Sequence, residues 1–260
     1  MKHVSPIPIL RLSAVCLVAA TCTDEPLTPP LDVAEPSFAR VAAEGPSTDE
    51  WVQEVFIDRG DDYTHAGPGP HPTEESNRFS LIQGGVRWFA GDEVKYEISG
   101  AEAVGGGNDR IEASLATIDG YVTARAFARD DASPTASPCG GVNRVVWASI
   151  DGPGGILAAT GVCRNVATKE IAGFTVTMDS DDDWSTSGEA DKIDVENVAV
   201  HEFGHAAGLD HVNAPRDGCL TMYRFGRAGE TQKRTLGLGD KLGMNALYGS
   251  ADVAVGACGS

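Results

Sequence analysis

The hydrophobic pattern of the chain changes period several times, and each change marks an element. An apolar run from Leu12 to Ala20 follows Lys2 and Arg11 and precedes small residues and the polar, Pro-rich stretch Thr23 to Pro36. That is the order of an export signal, and the run is too short to span a bilayer. Residues 23–78 show little periodicity beyond Trp51 to Ile57, carry GPGPHP at 67–72, and read as a linker or pro-segment. From Phe79 the pattern becomes that of a folded domain. Val86 to Trp88 and Val94 to Ile98 alternate faces as strand around a Gly91-Asp92 turn, and Ile111, Leu115, Ile118 and Val122 recur at helical spacing behind an Asn108 or Asp109 cap. Short strands are expected at Ala126 to Arg129, Val145 to Ile150, Ile156 to Val162 and Ile171 to Met178. A further helix should be capped by Asp194, bury Val195, Val198 and Ala199, and stop at Gly208.

Composition narrows what such a chain can do. Its 260 residues hold 38 Asp plus Glu against 20 Lys plus Arg, a formal net charge of −18. A phosphate-binding surface needs a basic excess, so nucleic acid is excluded as a partner. At 42% hydrophobic residues the chain can fill one globular core, and its 31 glycines point to a loop-rich fold. Three regions follow: an export signal over 1–22, the Pro- and acid-rich segment 23–78, and a catalytic domain over 79–260. The product is expected to be secreted or held at the cell envelope, and to be a monomer. Ala19-Ala20-Thr21-Cys22 loosely matches a bacterial lipoprotein processing site, so a lipid on Cys22 is the membrane attachment the sequence offers.

Export also governs the cysteines. Cys139, Cys163, Cys219 and Cys258 form an even set for an oxidising compartment, where two disulfides are the default. Three pairings exist; proximity favours Cys139 with Cys163 and Cys219 with Cys258. A four-thiolate zinc site is weak because no C-x-x-C pair occurs.

The informative segment is DVENVAVHEFGHAAGLDH, Asp194 to His211. His201 and His205 stand one helical turn apart on one face, a spacing at which two imidazoles grip one ion. Gly208 lets the backbone reverse so that His211 returns as a third ligand, which leaves the fourth tetrahedral position of a zinc ion open for water. Glu202 stands beside the first ligand, where its carboxylate can take that water's proton. A single surface histidine would be only a solvated polar residue. Five fixed positions of H-E-x-x-H-x-x-G-x-x-H do not arise by accident in a chain of this composition.

With these residues the chain resembles the metzincin zinc endopeptidases, whose extended motif is matched by His201, Glu202, His205, Gly208 and His211. Met222, eleven residues after His211 in Cys219-Leu-Thr-Met-Tyr223, falls where that family places a methionine beneath the zinc. Within the family it is most similar to a matrixin catalytic domain, from about Phe79 to Gly249. Asp151-Gly-Pro-Gly-Gly-Ile-Leu-Ala, Met178-Asp-Ser-Asp-Asp-Asp-Trp184 and the closing helix ending Leu247-Tyr-Gly249 all stand in matrixin order. The resemblance implies an α+β metzincin fold: a five-stranded twisted mixed sheet, three helices, and an active-site cleft along an edge strand.

It also implies a structural calcium ion held by the carboxylates of Asp151, Asp179 and Asp182 and by carbonyl groups of Gly152, Gly154 and Ile156, which together offer the six or more hard oxygens calcium needs. The acidic loop taken alone reads as a solvated surface. Substrate contacts are implied for Leu157, Ala158, Ala159, Asn197 and Tyr223, with an extended peptide pairing along Ile156 to Thr160. Several positions depart from the family. Ala159 and Thr177 replace the histidines of the second zinc of animal matrixins, so one zinc is expected. Residues 23–78 contain no Cys to silence the enzyme, and the Pro-Cys-Gly at 138–140 belongs to the catalytic domain. Arg224 stands where Pro usually follows Met-Tyr.

The sequence therefore indicates an exported zinc endopeptidase that acts on protein or peptide substrates through a zinc-activated water, with Glu202 as general base. An envelope-anchored protein that binds peptides or adheres through the same fold without turnover is the competing class.

Overall fold

The computed structural model describes residues 50–60 and 76–249. The expected export signal, Cys22, Cys258 and most of the 23–78 segment lie outside them. Five strands form the expected sheet: β2 (Val94–Ser99), β3 (Phe127–Arg129), β4 (Arg144–Ala148), β5 (Ile156–Asn165) and β6 (Glu170–Asp179). β5 runs antiparallel to β6, while β4 is parallel to β6 and to β2, and β2 to β3, so the sheet is mixed. Three helices pack with it, α1 (Gly107–Asp119), α2 (Val195–Ala206) and α3 (Leu238–Tyr248). This is the α+β architecture expected of a metzincin domain.

One strand was not expected. Trp51–Gly60 (β1) pairs antiparallel with β5 over nearly its whole length, from Trp51 opposite Asn165 to Arg59 opposite Ile156. Its outer side pairs in parallel with a two-residue strand, β7 (Phe225–Gly226). Two expectations are corrected. The folded unit extends N-terminal of Phe79, and Ile156 to Thr160 is not a free edge, because β1 satisfies its outward backbone groups. The local pattern agrees with this placement, since Val52, Glu54, Phe56 and Asp58 turn inward while Gln53, Val55 and Arg59 are exposed. Pro- and acid-rich neighbours hid it.

Smaller differences have local causes. Arg87–Trp88 pairs with Glu170–Ile171 rather than with the strand after the Gly91-Asp92 turn. α1 starts behind Gly106 in the left-handed region, with φ 83°, rather than at an Asn108 or Asp109 cap. Asn108 instead accepts a hydrogen bond from the Trp147 indole N–H at 2.9 Å. Cys139 and Cys163 are disulfide-bonded to each other, as proximity favoured. Cys219 is disulfide-bonded as well.

Candidate metal centre and active site

α2 is buried on every side from Asn197 to Ala206, unusual for a helix that carries two histidines and a glutamate. Its ends are pinned. Asp194 is the N-cap, its carboxylate accepting the Asn197 N–H at 2.9 Å. At the other end the carbonyls of Ala206 and Ala207 accept from the Trp88 indole at 2.9 Å and the Tyr248 hydroxyl at 2.7 Å. Gly208 then reverses the chain at φ 102°, and a Cβ there would fall 2.3 Å from the Val86 carbonyl oxygen, so glycine is required twice over.

This reversal brings His211 back to the helix. The Nε2 atoms of His201 and His205 each lie 3.1 Å from Nε2 of His211. On the far side of the rings, Nδ1 of His201 is 2.6 Å from the Thr221 carbonyl oxygen and Nδ1 of His205 is 2.9 Å from that of Leu209. Nδ1 of His201 and of His205 must therefore carry the proton, which leaves each Nε2 a lone pair directed toward His211 Nε2, and three ring nitrogens this close form a donor set for one cation. Tetrahedral zinc with bonds of about 2.0–2.1 Å spaces its ligands by about 3.3 Å, so the donor set fits that ion. Burial pushes His201 and His205 well below the usual histidine range and His211 down to about 4, keeping the imidazoles neutral, as metal ligation requires.

Glu202 is fully buried beside His201. One carboxylate oxygen accepts from the Thr160 hydroxyl on β5, and the other, Oε1, has no partner. Burial, reinforced by the neighbouring Asp58, holds its carboxyl well above the ordinary range, which makes its carboxylate a stronger base than a solvated one. Met222 is buried against α2, where a Cβ on Gly204 would come within 2.3 Å of its sulfur. Asp240 fixes that turn by accepting the N–H groups of Thr221, Met222 and Gly237.

Among the described residues two groups of three ligand-type side chains converge: His201, His205 and His211, and Asp58, His201 and Glu202. The acidic loop is not such a group. Its two halves do meet, with the Gly154 N–H on Asp182 at 2.7 Å and the Asp151 N–H on Asp179 at 3.3 Å. Asp151, however, turns its carboxylate onto the Ile156 N–H. Asp182 keeps one buried oxygen without a partner, and burial, with the nearby Asp179 and Asp151, raises its pKa to about 6.

Leu157, Ala158 and Ala159 are buried in β5, with Ala158 opposite Asp58 and Ala159 opposite Ile57. Tyr223 closes the Met222 turn, and its carbonyl accepts from Lys233 at 2.6 Å. Asn197 is buried with its side chain committed, donating to Glu230 at 3.2 Å and accepting the Lys233 N–H at 2.8 Å. Asp58, Thr160, Lys233 and Asp240 were not singled out from sequence. Asp58 alone left a signal there, as an acid on the inward face of the alternation around Phe56.

Residues 143–249 match the family model described as matrixin. Human matrix metalloproteinase-25 is 39% identical over 75 residues, 28% of this chain and 13% of its own. Human matrix metalloproteinase-17 is 39% identical over 100 residues, 38% and 16% of the two chains. Mouse stromelysin-3 is 35% identical over 104 residues, 40% and 19%. The chain thus spans less than a fifth of the length of these relatives.

Proposed function

We propose that the chain, which carries a matrixin-like metzincin catalytic domain, is a zinc-dependent endopeptidase acting on protein or peptide substrates. The observation that carries this reading is the convergence of three imidazole Nε2 atoms beside a buried carboxyl group with one free oxygen. A zinc ion held by His201, His205 and His211 would supply Lewis-acid polarisation of the scissile carbonyl and of the attacking water. Glu202 then takes the proton from that water as it attacks and hands it to the leaving amine. Thr160 keeps the Glu202 carboxylate oriented toward that task. No side chain forms a bond to the substrate.

A calcium ion in the acidic loop, held through Asp151, Asp179 and Asp182 with carbonyls of Gly152, Gly154 and Ile156, completes the proposal. The unpartnered buried oxygen of Asp182 supports it. Leu157, Ala158 and Tyr223 are assigned to the walls of the cleft. The N-terminal export pattern directs the enzyme out of the cell, secreted or lipid-anchored through Cys22; no helix among the described residues is long and apolar enough to cross a membrane. Incubating the purified chain with casein and gelatin, over a time course long enough to include any lag, tests the reading. Cleavage abolished by a zinc chelator is the expected result. Bound zinc without cleavage at any time would favour the peptide-binding class.

A further inference from the structure

The cleft of this chain already holds a peptide, and it is the chain's own. β1 lies between β5 and β7, antiparallel to one and parallel to the other, in the slot an extended substrate would have to enter. It is anchored by side chains as well as by backbone. The Glu54 carboxylate accepts from Arg164 at 2.8 Å and from Gln83 at 3.0 Å. Phe56 stacks on the His205 ring with centroids 4.5 Å apart and 17° between planes.

Two residues further on, at the metal centre, the pairing slips. Asp58 is opposite Ala158, but Arg59 is opposite Ile156. At this irregularity the Asp58 side chain is buried, and a carboxylate oxygen of Asp58, a ring nitrogen of His201 and a carboxylate oxygen of Glu202 all lie within 4.8 Å of one another. Neither Asp58 oxygen has a hydrogen-bond partner. A carboxylate in that position, unless it keeps its proton, needs a positive charge beside it. Lys233 is near but committed, donating to the carbonyls of Tyr223 and Phe225 and facing Glu230. Lys233 and Arg224 supply part of that charge, and a cation held by the three imidazoles would supply the rest.

We propose that Asp58 is the fourth ligand of the metal held by His201, His205 and His211, and that the strand Trp51–Gly60 keeps the enzyme latent from within the substrate slot. The inference rests on the peptidase reading above. It supplies a silencing residue within a segment, 23–78, that contains no cysteine. A carboxylate oxygen in the fourth position excludes the attacking water, so Glu202 has nothing to deprotonate and the strand, although it lies like a substrate, is not cut at that point. Removing the strand opens the slot and the coordination position together.

The test uses the full chain carrying Glu202→Gln, which prevents self-processing, loaded with cobalt(II) in place of zinc. Adding Asp58→Ala should change the visible ligand-field bands, because one oxygen ligand is exchanged. Adding Asp58→Cys should create an intense thiolate-to-cobalt charge-transfer band in the near ultraviolet. Superimposable visible spectra with and without Asp58→Ala, and no charge-transfer band with Asp58→Cys, would overturn the proposal. Failure of every chain to bind one cobalt would instead overturn the metal site and the peptidase reading with it. With Glu202 intact, Asp58→Ala should raise the initial rate of casein cleavage by roughly tenfold or more, since only molecules with an open slot turn over. An unchanged initial rate in a chain whose cobalt spectrum does change would refute the latency role while leaving the ligand in place.

Discussion

The carbonyl oxygen of Thr221 lies 2.6 Å from Nδ1 of His201, so the turn that carries Met222 also fixes the orientation of a proposed metal ligand. Asp240 holds that turn through three backbone N–H groups, yet it is fully buried, and burial raises its pKa to about 6. A carboxyl group that holds its proton more tightly in the folded than in the unfolded state contributes stability at low pH, and the contribution is lost as pH rises from about 4 through about 6.

Asp240→Asn removes this titration. The stability of the native sequence relative to the variant should therefore fall between pH 4 and 7 by at most about 3 kcal/mol. Urea unfolding of both proteins at several pH values measures it. A difference that stays flat, or grows with pH, would show that the three N–H bonds outweigh burial and keep Asp240 ionised.

The Cys139–Cys163 bond spans 24 residues and ties the loop before β4 to the strand that β1 covers. Replacing both cysteines with serine should cost about 3 kcal/mol in the chain-entropy account, lowering the urea midpoint and raising the slope, because the unfolded chain without the cross-link exposes more surface. A loss near zero would mean that the loop is already confined by the sheet.

Calcium should raise the melting temperature by mass action on the native state, by the equivalent of about 2.7 kcal/mol when calcium exceeds its dissociation constant a hundredfold. Asp182→Asn should remove most of that increment. A melting temperature indifferent to calcium would leave the acidic loop as a hydrogen-bonded turn closed by Asp151 and Asp182.

How much of this could be read in the sequence depended on how far apart the interacting residues lie. The zinc motif was legible because its five positions sit within one helix and one turn, where spacing alone sets geometry. Asp194 as cap and Gly208 as stop were legible for the same reason. The helix around Ile111 was legible too, but its start was not, since a left-handed Gly106 leaves no side-chain signature. β1 was half visible: Trp51 to Ile57 alternates, but its partner strand lies about 100 residues away, and nothing local says that an edge is waiting for it. Lys233, Asp240 and Thr160 left no trace, because each is a buried polar residue whose partners come from distant segments.

The central claim is that three histidines bind the metal while Glu202 moves the proton, and paired zinc analysis and proteolysis on two variants test it most directly. Glu202→Gln should retain about one zinc per chain and lose casein cleavage by several orders of magnitude, whereas His205→Ala should lose both zinc and activity. Cleavage by the Gln variant at a rate comparable with the native chain, or full zinc retention by the Ala variant, would contradict it.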